Sequence, residues 1–369
     1  MNIIMAPDSF KGAMRSSLVA ENLAAGWRKK RPGDKIFLCP LADGGEGTCE
    51  ALTNALQGKI VQLNTHDALM RPISAGVGLA GDTAVIEAAA ANGIELLTPD
   101  ELNPFIASSY GVGELLLEML TWPVAQIIIG IGGSATVDGG VGMLQALGAR
   151  FFDADQQELP PGIGGGDLMK IESADFSQLP LALNKIKLLV ACDVTNPLTG
   201  ANGAATVFGP QKGATPKMVQ IFEQNLQHWF KICEAKTEQP GDGAAGGIGF
   251  ALRQILSAQI ASGAELIINA ARLPELLATA DLIITGEGCS DLQTLQGKLC
   301  RMVSKKAAEF NVPCVLCSGA IGRNSAALFD HFAAVFSIAA RPGTLTEAMA
   351  DTAENLQNMG ANLAGIFQH

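Results

Sequence analysis

Carboxylates, lysines and glycines gather where hydrophobic runs break off. Asp8, Ser9 and Lys11 follow the apolar residues 2–5, and Asp43 and Glu46 follow residues 35–41. Residues 127–131 give way to Gly132, Gly133, Ser134 and Asp138, and residues 186–191 to Asp193, Thr195 and Asn196. Residues 281–285 lead into Glu287, Asp291 and Lys298, while Lys212 sits in Gly209-Pro-Gln-Lys-Gly213. Carboxylates can hold a divalent cation or take a proton. Lysines and backbone N–H groups neutralise a moving negative charge, and glycines let the backbone approach a ligand. Phosphoryl transfer needs that inventory; hydride transfer does not need so many acids.

The densest cluster is Gly130-Ile-Gly-Gly-Ser-Ala-Thr-Val-Asp-Gly-Gly140, between a β-branched run and a helix-favouring segment from Met143. A strand, a glycine loop and a helix start make an anion cradle of Gly132, Gly133 and Ser134. The plain alternative is a tight turn without a ligand. The same loop, Gly130 to Ala135, matches GxGxxA, with Asp153 at about the spacing of a ribose-binding acid. An NAD(P)-dependent dehydrogenase of a small hydroxy acid is therefore the rival reading. Gly241-Asp-Gly-Ala-Ala-Gly246 also fits GxGxxG with no strand before it. A chain with 42 glycines matches this pattern cheaply. GxxxxGK[ST] is absent. The four histidines are scattered, which argues against a His metal site or a Ser–His triad.

These residues must be carried by alternating strands and helices. Residues 2–5, 35–41, 281–285, 313–317 and 333–339 read as strands, each followed by a helix; the last helix is expected over 344–368. They would form one doubly wound five-stranded parallel sheet, with ligands beyond the strands' carboxyl ends. The expected division is a discontinuous domain of residues 1–75 and 275–369 and an inserted α/β domain of residues 76–274. The active site is expected in the cleft between them. A net charge of −11 argues against a nucleic-acid groove or an anionic membrane surface. The eight cysteines show one CxxC spacing, Cys314 to Cys317, inside an apolar run, so buried thiols are expected. No stretch approaches 18 uninterrupted apolar residues and no signal-like segment opens the chain, so a soluble cytoplasmic protein is expected. A homodimer is compatible with this reading.

Seven segments, in order over essentially the whole chain, resemble the type I glycerate kinases. They begin at Ala6-Pro-Asp-Ser-Phe-Lys-Gly12, Ala42-Asp-Gly-Gly-Glu-Gly-Thr48 and Ser109-Tyr-Gly-Val-Gly-Glu114. Gly130-Ile-Gly-Gly-Ser-Ala-Thr136 and Ala191-Cys-Asp-Val-Thr-Asn-Pro197 follow, then Phe208-Gly-Pro-Gln-Lys-Gly213 and Thr285-Gly-Glu-Gly288. The resemblance implies ATP- and Mg²⁺-dependent phosphorylation of D-glycerate, with 2-phosphoglycerate favoured over 3-phosphoglycerate. It also implies a flavodoxin-like domain made from both chain ends. Where the pattern has Gly-Glu-Gly-Arg-x-Asp, this chain has Gly286-Glu-Gly-Cys-Ser-Asp291; Arg71 and Arg323 are candidates to replace that arginine.

The residues then divide by task. Asp193 is the candidate general base, with Asp8 as runner-up and a turn-capping aspartate as the plain alternative. Lys11 neutralises phosphate. Ser9, Arg71, Gly132, Gly133, Ser134, Asn196, Lys212 and Lys298 are candidates for holding substrate or phosphate. Glu287 with Asp291, or Asp43 with Glu46, would hold Mg²⁺, which needs only one or two carboxylates. A non-catalytic binding protein of the same fold is the third reading, supported only by Cys289.

Overall fold

The computed structural model describes residues 1–41, 47–295, 299–323 and 325–367. The chain divides into two compact units. One comprises Met1–Asp43, Asn54–Leu56 and Ala264–His369, the other Gly44–Thr53 and Gln57–Gly263.

The first unit is built on a five-stranded, all-parallel sheet. Its order is Ala334–Ser337, Cys314–Ser318, Leu282–Thr285, Asn2–Met5, Lys35–Leu38. Counted along the chain within this unit, the order is 2-1-3-4-5, a doubly wound arrangement. It reverses direction between Asn2–Met5 and Leu282–Thr285. The central strands are short and mostly apolar because both faces are covered: Ile3, Ile4, Met5, Ile283 and Ile284 have no exposed surface. Helix Ser16–Lys30 lies against helix Thr352–Ile366, and glycines set how close they come. A Cβ on Gly26 would fall 1.9 Å from Gln357 O, and one on Gly360 2.2 Å from Leu23 O. The single helix expected over 344–368 is two. Leu345–Ala350 is started by a capping box between Thr344 and Glu347, and Asp351 is the N-cap residue of Thr352–Ile366.

The second unit holds a six-stranded sheet. Its order is Gln259–Ala261, Lys187–Ala191, Gln126–Gly130, Thr83–Glu87, Pro72–Ala80, Lys59–His66. The first four strands are parallel, and Pro72–Ala80 runs antiparallel to both its neighbours. This unit begins nearer residue 57 than residue 76, because Lys59–His66 pairs along its whole length with Pro72–Ala80 and so belongs to this sheet. Its core gathers around Phe151, Phe222, Trp229 and Phe250, all without exposed surface. The polar stretch over 154–185 contains the strand Ser173–Asp175, paired with Arg150–Phe152. Among the described residues no helix is long and apolar enough to cross a membrane.

Candidate active site

In the first unit, the switch point of the sheet brings together the two ends of the chain, pairing Ile3 with Leu282 and Met5 with Ile284. Asn2–Met5 continues through Ala6, whose N–H donates to Ile284 O at 2.8 Å, to Asp8, whose N–H donates to Gly286 O at 2.8 Å. The carboxyl ends of the two central strands are thereby stitched together, and Asp8 and Glu287 line one cavity with Ser9, Lys11 and Cys289. Both carboxylates are nearly closed off, at 6 % and 8 % exposure, whereas Lys11 is exposed. Asp8 Oδ1 accepts the Ser9 N–H at 2.6 Å. Glu287 Oε1 accepts the hydroxyls of Ser290 at 2.8 Å and Thr294 at 2.7 Å, and the Ser290 hydroxyl also meets that of Ser318 at 2.6 Å. The hydroxyls of Ser290, Thr294 and Ser318 escaped the sequence reading. A Ser or Thr three to seven residues after an acid carries no distinctive signal until the turn is formed. The charges of both acids are felt by the buried Cys300, whose thiol is pushed well up, first by burial and then by Glu287 and Asp8.

Asp291 stands apart from that pair in role. Its Oδ1 accepts the Gln293 N–H at 2.7 Å, and its own N–H donates to Thr294 Oγ1 at 3.1 Å, so it caps the turn Leu292–Leu295. Among the described residues no group of three or more His, Cys, Asp or Glu side chains is arranged so that it could hold a metal ion. Asp43, Glu46 and Lys298, proposed from the sequence for metal and phosphate, lie outside the described residues. Cys289 is exposed in the short strand Cys289–Ser290, paired with Ala320–Ile321, and Arg323 lies two residues past that partner strand. Arg71 belongs to the second unit, where its guanidinium is held by Asp67 at 2.5 Å and Glu101 at 2.6 Å.

In the second unit, the glycine loop is shaped from within. Lys212, 2 % exposed, donates from Nζ to Ser134 Oγ at 2.9 Å and to Thr136 O at 2.7 Å. Burial lowers its amine from 10.5 to about 7, opposed by the charge of Asp138. Lys212 is therefore a brace beneath the loop rather than a solvated loop lysine. The outer side is pinned by Ile94 N–H to Gly133 O at 2.8 Å and Ala135 N–H to Asn92 O at 2.7 Å. Gly132 is half-buried and Gly133 exposed, with φ +72° at Gly133. That left-handed conformation requires glycine by itself, ligand or not.

The helix start after this loop is already satisfied from inside the protein. The helix begins only at Val141. Asp138, with no exposed surface, accepts the Gly140 N–H at 3.1 Å and the Gly142 N–H at 3.2 Å. It also takes the backbone N–H of Ser109 at 2.8 Å and its hydroxyl at 2.6 Å, and that hydroxyl in turn accepts the Met143 N–H at 2.9 Å. Burial raises the Asp138 carboxyl while these four donors pull it back. The carboxylate expected to face a metal or a proton thus serves as an internal anion at a helix start. Asp153, the ribose acid of the dinucleotide alternative, accepts the N–H groups of Asp155 at 3.0 Å and Gln157 at 2.8 Å in an exposed turn.

Asp193 is exposed past the end of Lys187–Ala191. Its Oδ1 accepts the Ser262 hydroxyl at 2.7 Å and the Gly263 N–H at 3.0 Å, from the chain that follows the neighbouring strand Gln259–Ala261. Asn196 gives its amide to Asn202 O at 2.8 Å. A further carboxylate was not singled out from the sequence. Glu87, 8 % exposed, ends Thr83–Glu87 and accepts Gly47 N–H at 3.0 Å and Cys49 N–H at 3.3 Å, at the start of helix Thr48–Ala55.

Residues 3–368 match the model of the Glycerate kinase family. The chain belongs to the glycerate kinase family. It is 42 % identical over 376 residues to a glycerate kinase of Bacillus subtilis (strain 168), covering 100 % of this chain and 98 % of that one. It is 40 % identical over 375 residues to glycerate 2-kinase of Escherichia coli (strain K12), with coverage of 100 % and 98 %. A crystal structure from Salmonella typhimurium LT2, described provisionally as glycerate kinase 2, superposes with a TM-score of 0.88 at 40 % identity, covering 100 % of this chain and 98 % of that one. Membership of this family makes the chain one of a family of phosphotransferases and implies a nucleotide substrate.

Proposed function

We propose that this member of the glycerate kinase family transfers the terminal phosphoryl group of ATP, with Mg²⁺, to a hydroxyl of D-glycerate, giving 2-phosphoglycerate. The observation that carries the reading is the meeting of Asp8, Lys11 and Glu287 in one cavity at the switch point of a parallel sheet, in a chain that matches glycerate kinases from end to end. The choice of the 2-hydroxyl leans on the name of the Escherichia coli relative.

The donor set suits Mg²⁺, a hard cation that takes few carboxylates and keeps water and phosphate oxygens. Asp8 and Glu287, which line the same cavity, would serve as oxygen ligands of that kind, and the hydroxyls of Ser290 and Thr294 orient Glu287. Held there, Mg²⁺ would supply neutralising charge to the phosphates. Lys11 adds positive charge at the same cavity. Asp291 is left as a turn cap, and Lys212 and Ser134 as the frame that shapes Gly132 and Gly133.

Asp193 is our candidate base. The Ser262 hydroxyl and the Gly263 N–H bind its Oδ1, which orients the carboxylate, and its exposure allows a substrate hydroxyl to reach it. Asp8 is the alternative, weaker because it lies beside Lys11 and the proposed metal. The dehydrogenase reading has less support, since the helix after its fingerprint spends its N–H groups on Asp138. The experiment is a panel of hydroxy acids with ATP and Mg²⁺, following ADP release and NAD(P)H fluorescence in parallel. Glycerate-dependent ADP is the expected result; NAD(P)H consumption without ADP would overturn it.

A further inference from the structure

We propose that the cavity at the carboxyl edge of the five-stranded sheet seats the nucleoside half of the phosphoryl donor. This rests on the kinase reading and adds which of the two substrates the cavity takes. Its volume is about 500 Å³, within the ~300–1,000 Å³ usual for small-ligand sites.

The cavity has two chemistries. Asp8, Glu287 and Lys11 give its lining charge, while Phe10, Ile338 and Leu345 are among its apolar lining residues. Leu345 is 76 % exposed, a large hydrophobic group at the cavity wall. Asn355, 9 % exposed, also lines the cavity, and its amide can both donate and accept. Glycerate is a three-carbon anion with oxygen on every carbon. It has no apolar face for Phe10, Ile338 and Leu345, and two carboxylates would oppose its charge. A nucleobase has two flat apolar faces and a polar edge, which an apolar wall with one amide fits. The phosphates of the same molecule would then lie near Asp8 and Glu287, which would hold Mg²⁺, and near the positive charge of Lys11. The position agrees, because the cavity lies beyond the carboxyl ends of the strands at the switch point.

Cys289 provides the probe. It lines the cavity and is exposed, while the other cysteines are buried apart from the half-buried Cys192. Alkylation of Cys289 by N-ethylmaleimide, followed by peptide mass mapping, is measured with ADP, GDP or D-glycerate present. One of the two nucleotides should slow modification roughly tenfold at about ten times its Kd. D-Glycerate alone should not slow it. Protection by D-glycerate alone, or by none of the three, overturns the assignment.

A second variant guards against protection at a distance. Ala348 lines the cavity at an exposed helical position, so Ala348→Phe fills space without disturbing the core. The nucleotide KM should rise about tenfold, equivalent to ~1.4 kcal/mol, with the glycerate KM unchanged. A rise in the glycerate KM alone, or in neither, contradicts the proposal. Glycerate-dependent ADP formation on the same preparation separates the two claims. Turnover without nucleotide protection sinks only the cavity assignment, and protection without turnover sinks only the kinase reading.

Discussion

Two donors on a single oxygen of Asp193 fix its carboxylate without enclosing it, an arrangement suited to taking a proton from a visiting hydroxyl. Asparagine at 193 keeps an acceptor for Ser262 and Gly263 and removes the base. Asp193→Asn should fold with an unchanged melting temperature and lose about two or more orders of magnitude in kcat; turnover within a few-fold of the parent would make Asp193 a cap. Glu287→Gln should raise the Mg²⁺ concentration needed for half-maximal rate, whereas Asp291→Asn, which keeps the turn-capping oxygen, should leave it nearly unchanged. Equal Mg²⁺ titrations for the two variants would remove Glu287 from the metal site. Lys212 makes a claim about pH. Its folded value, about 7, lies below the ordinary 10.5, so the unfolded chain binds the extra proton between those values. Stability must then rise with pH through that window. The buried cysteines oppose this as the ordinary thiol value of 9.0 is approached, but they do so equally in the parent and in Lys212→Met, so the comparison of the two cancels them. Between pH 7 and 8.5, about the lower half of the window, the melting temperature of the parent should climb relative to Lys212→Met. Parallel curves would show that Lys212 is charged in the fold. The acids at strand ends were legible because an apolar run ending in Asp or Glu shows in the order of residues. Their partners were not: Ser109 and Ser262 reach Asp138 and Asp193 from 29 and 69 positions away, distances set by packing.

Among the elements, the helix pair Ser16–Lys30 and Thr352–Ile366 depends on contact between backbones. Alanine at 360 would gain about 0.5–1 kcal/mol of helix propensity over glycine. It would also put a Cβ 2.2 Å from Leu23 O, and overpacking of that kind costs about 1–3 kcal/mol. The second effect should win, so Gly360→Ala should lower the denaturation midpoint without changing the slope of the transition. A higher midpoint would mean that the helices move apart freely. The buried strands were legible within a residue or so because apolar residues crowd into them. Residues 127–131 became Gln126–Gly130, and residues 186–191 became Lys187–Ala191. Lys59–His66 escaped notice because it is an edge strand, with Lys59, Gln62 and Asn64 among its exposed or half-buried residues and little hydrophobic signal. The break at Asp351 also escaped, since Leu345–Ala350 and Thr352–Ile366 read as one continuous helical pattern.

Across the whole molecule, the doubly wound order of the first unit and the family match over residues 3–368 point to one chemistry. The alternation of strands and helices made a parallel sheet legible, but pairing within Lys59–His66 moved the start of the second unit to the region of residue 57. The anion cradle expected from the glycines could not be judged from sequence, because an internal carboxylate and a ligand phosphate ask for the same N–H groups. The measurement that bears most directly on the central claim follows ATP, Mg²⁺ and D-glycerate together by phosphorus NMR. We expect ADP and 2-phosphoglycerate to accumulate in equal amounts, and neither to form when D-glycerate or Mg²⁺ is left out. ADP that accumulates at the same rate without D-glycerate, with no organic phosphate formed, would contradict it.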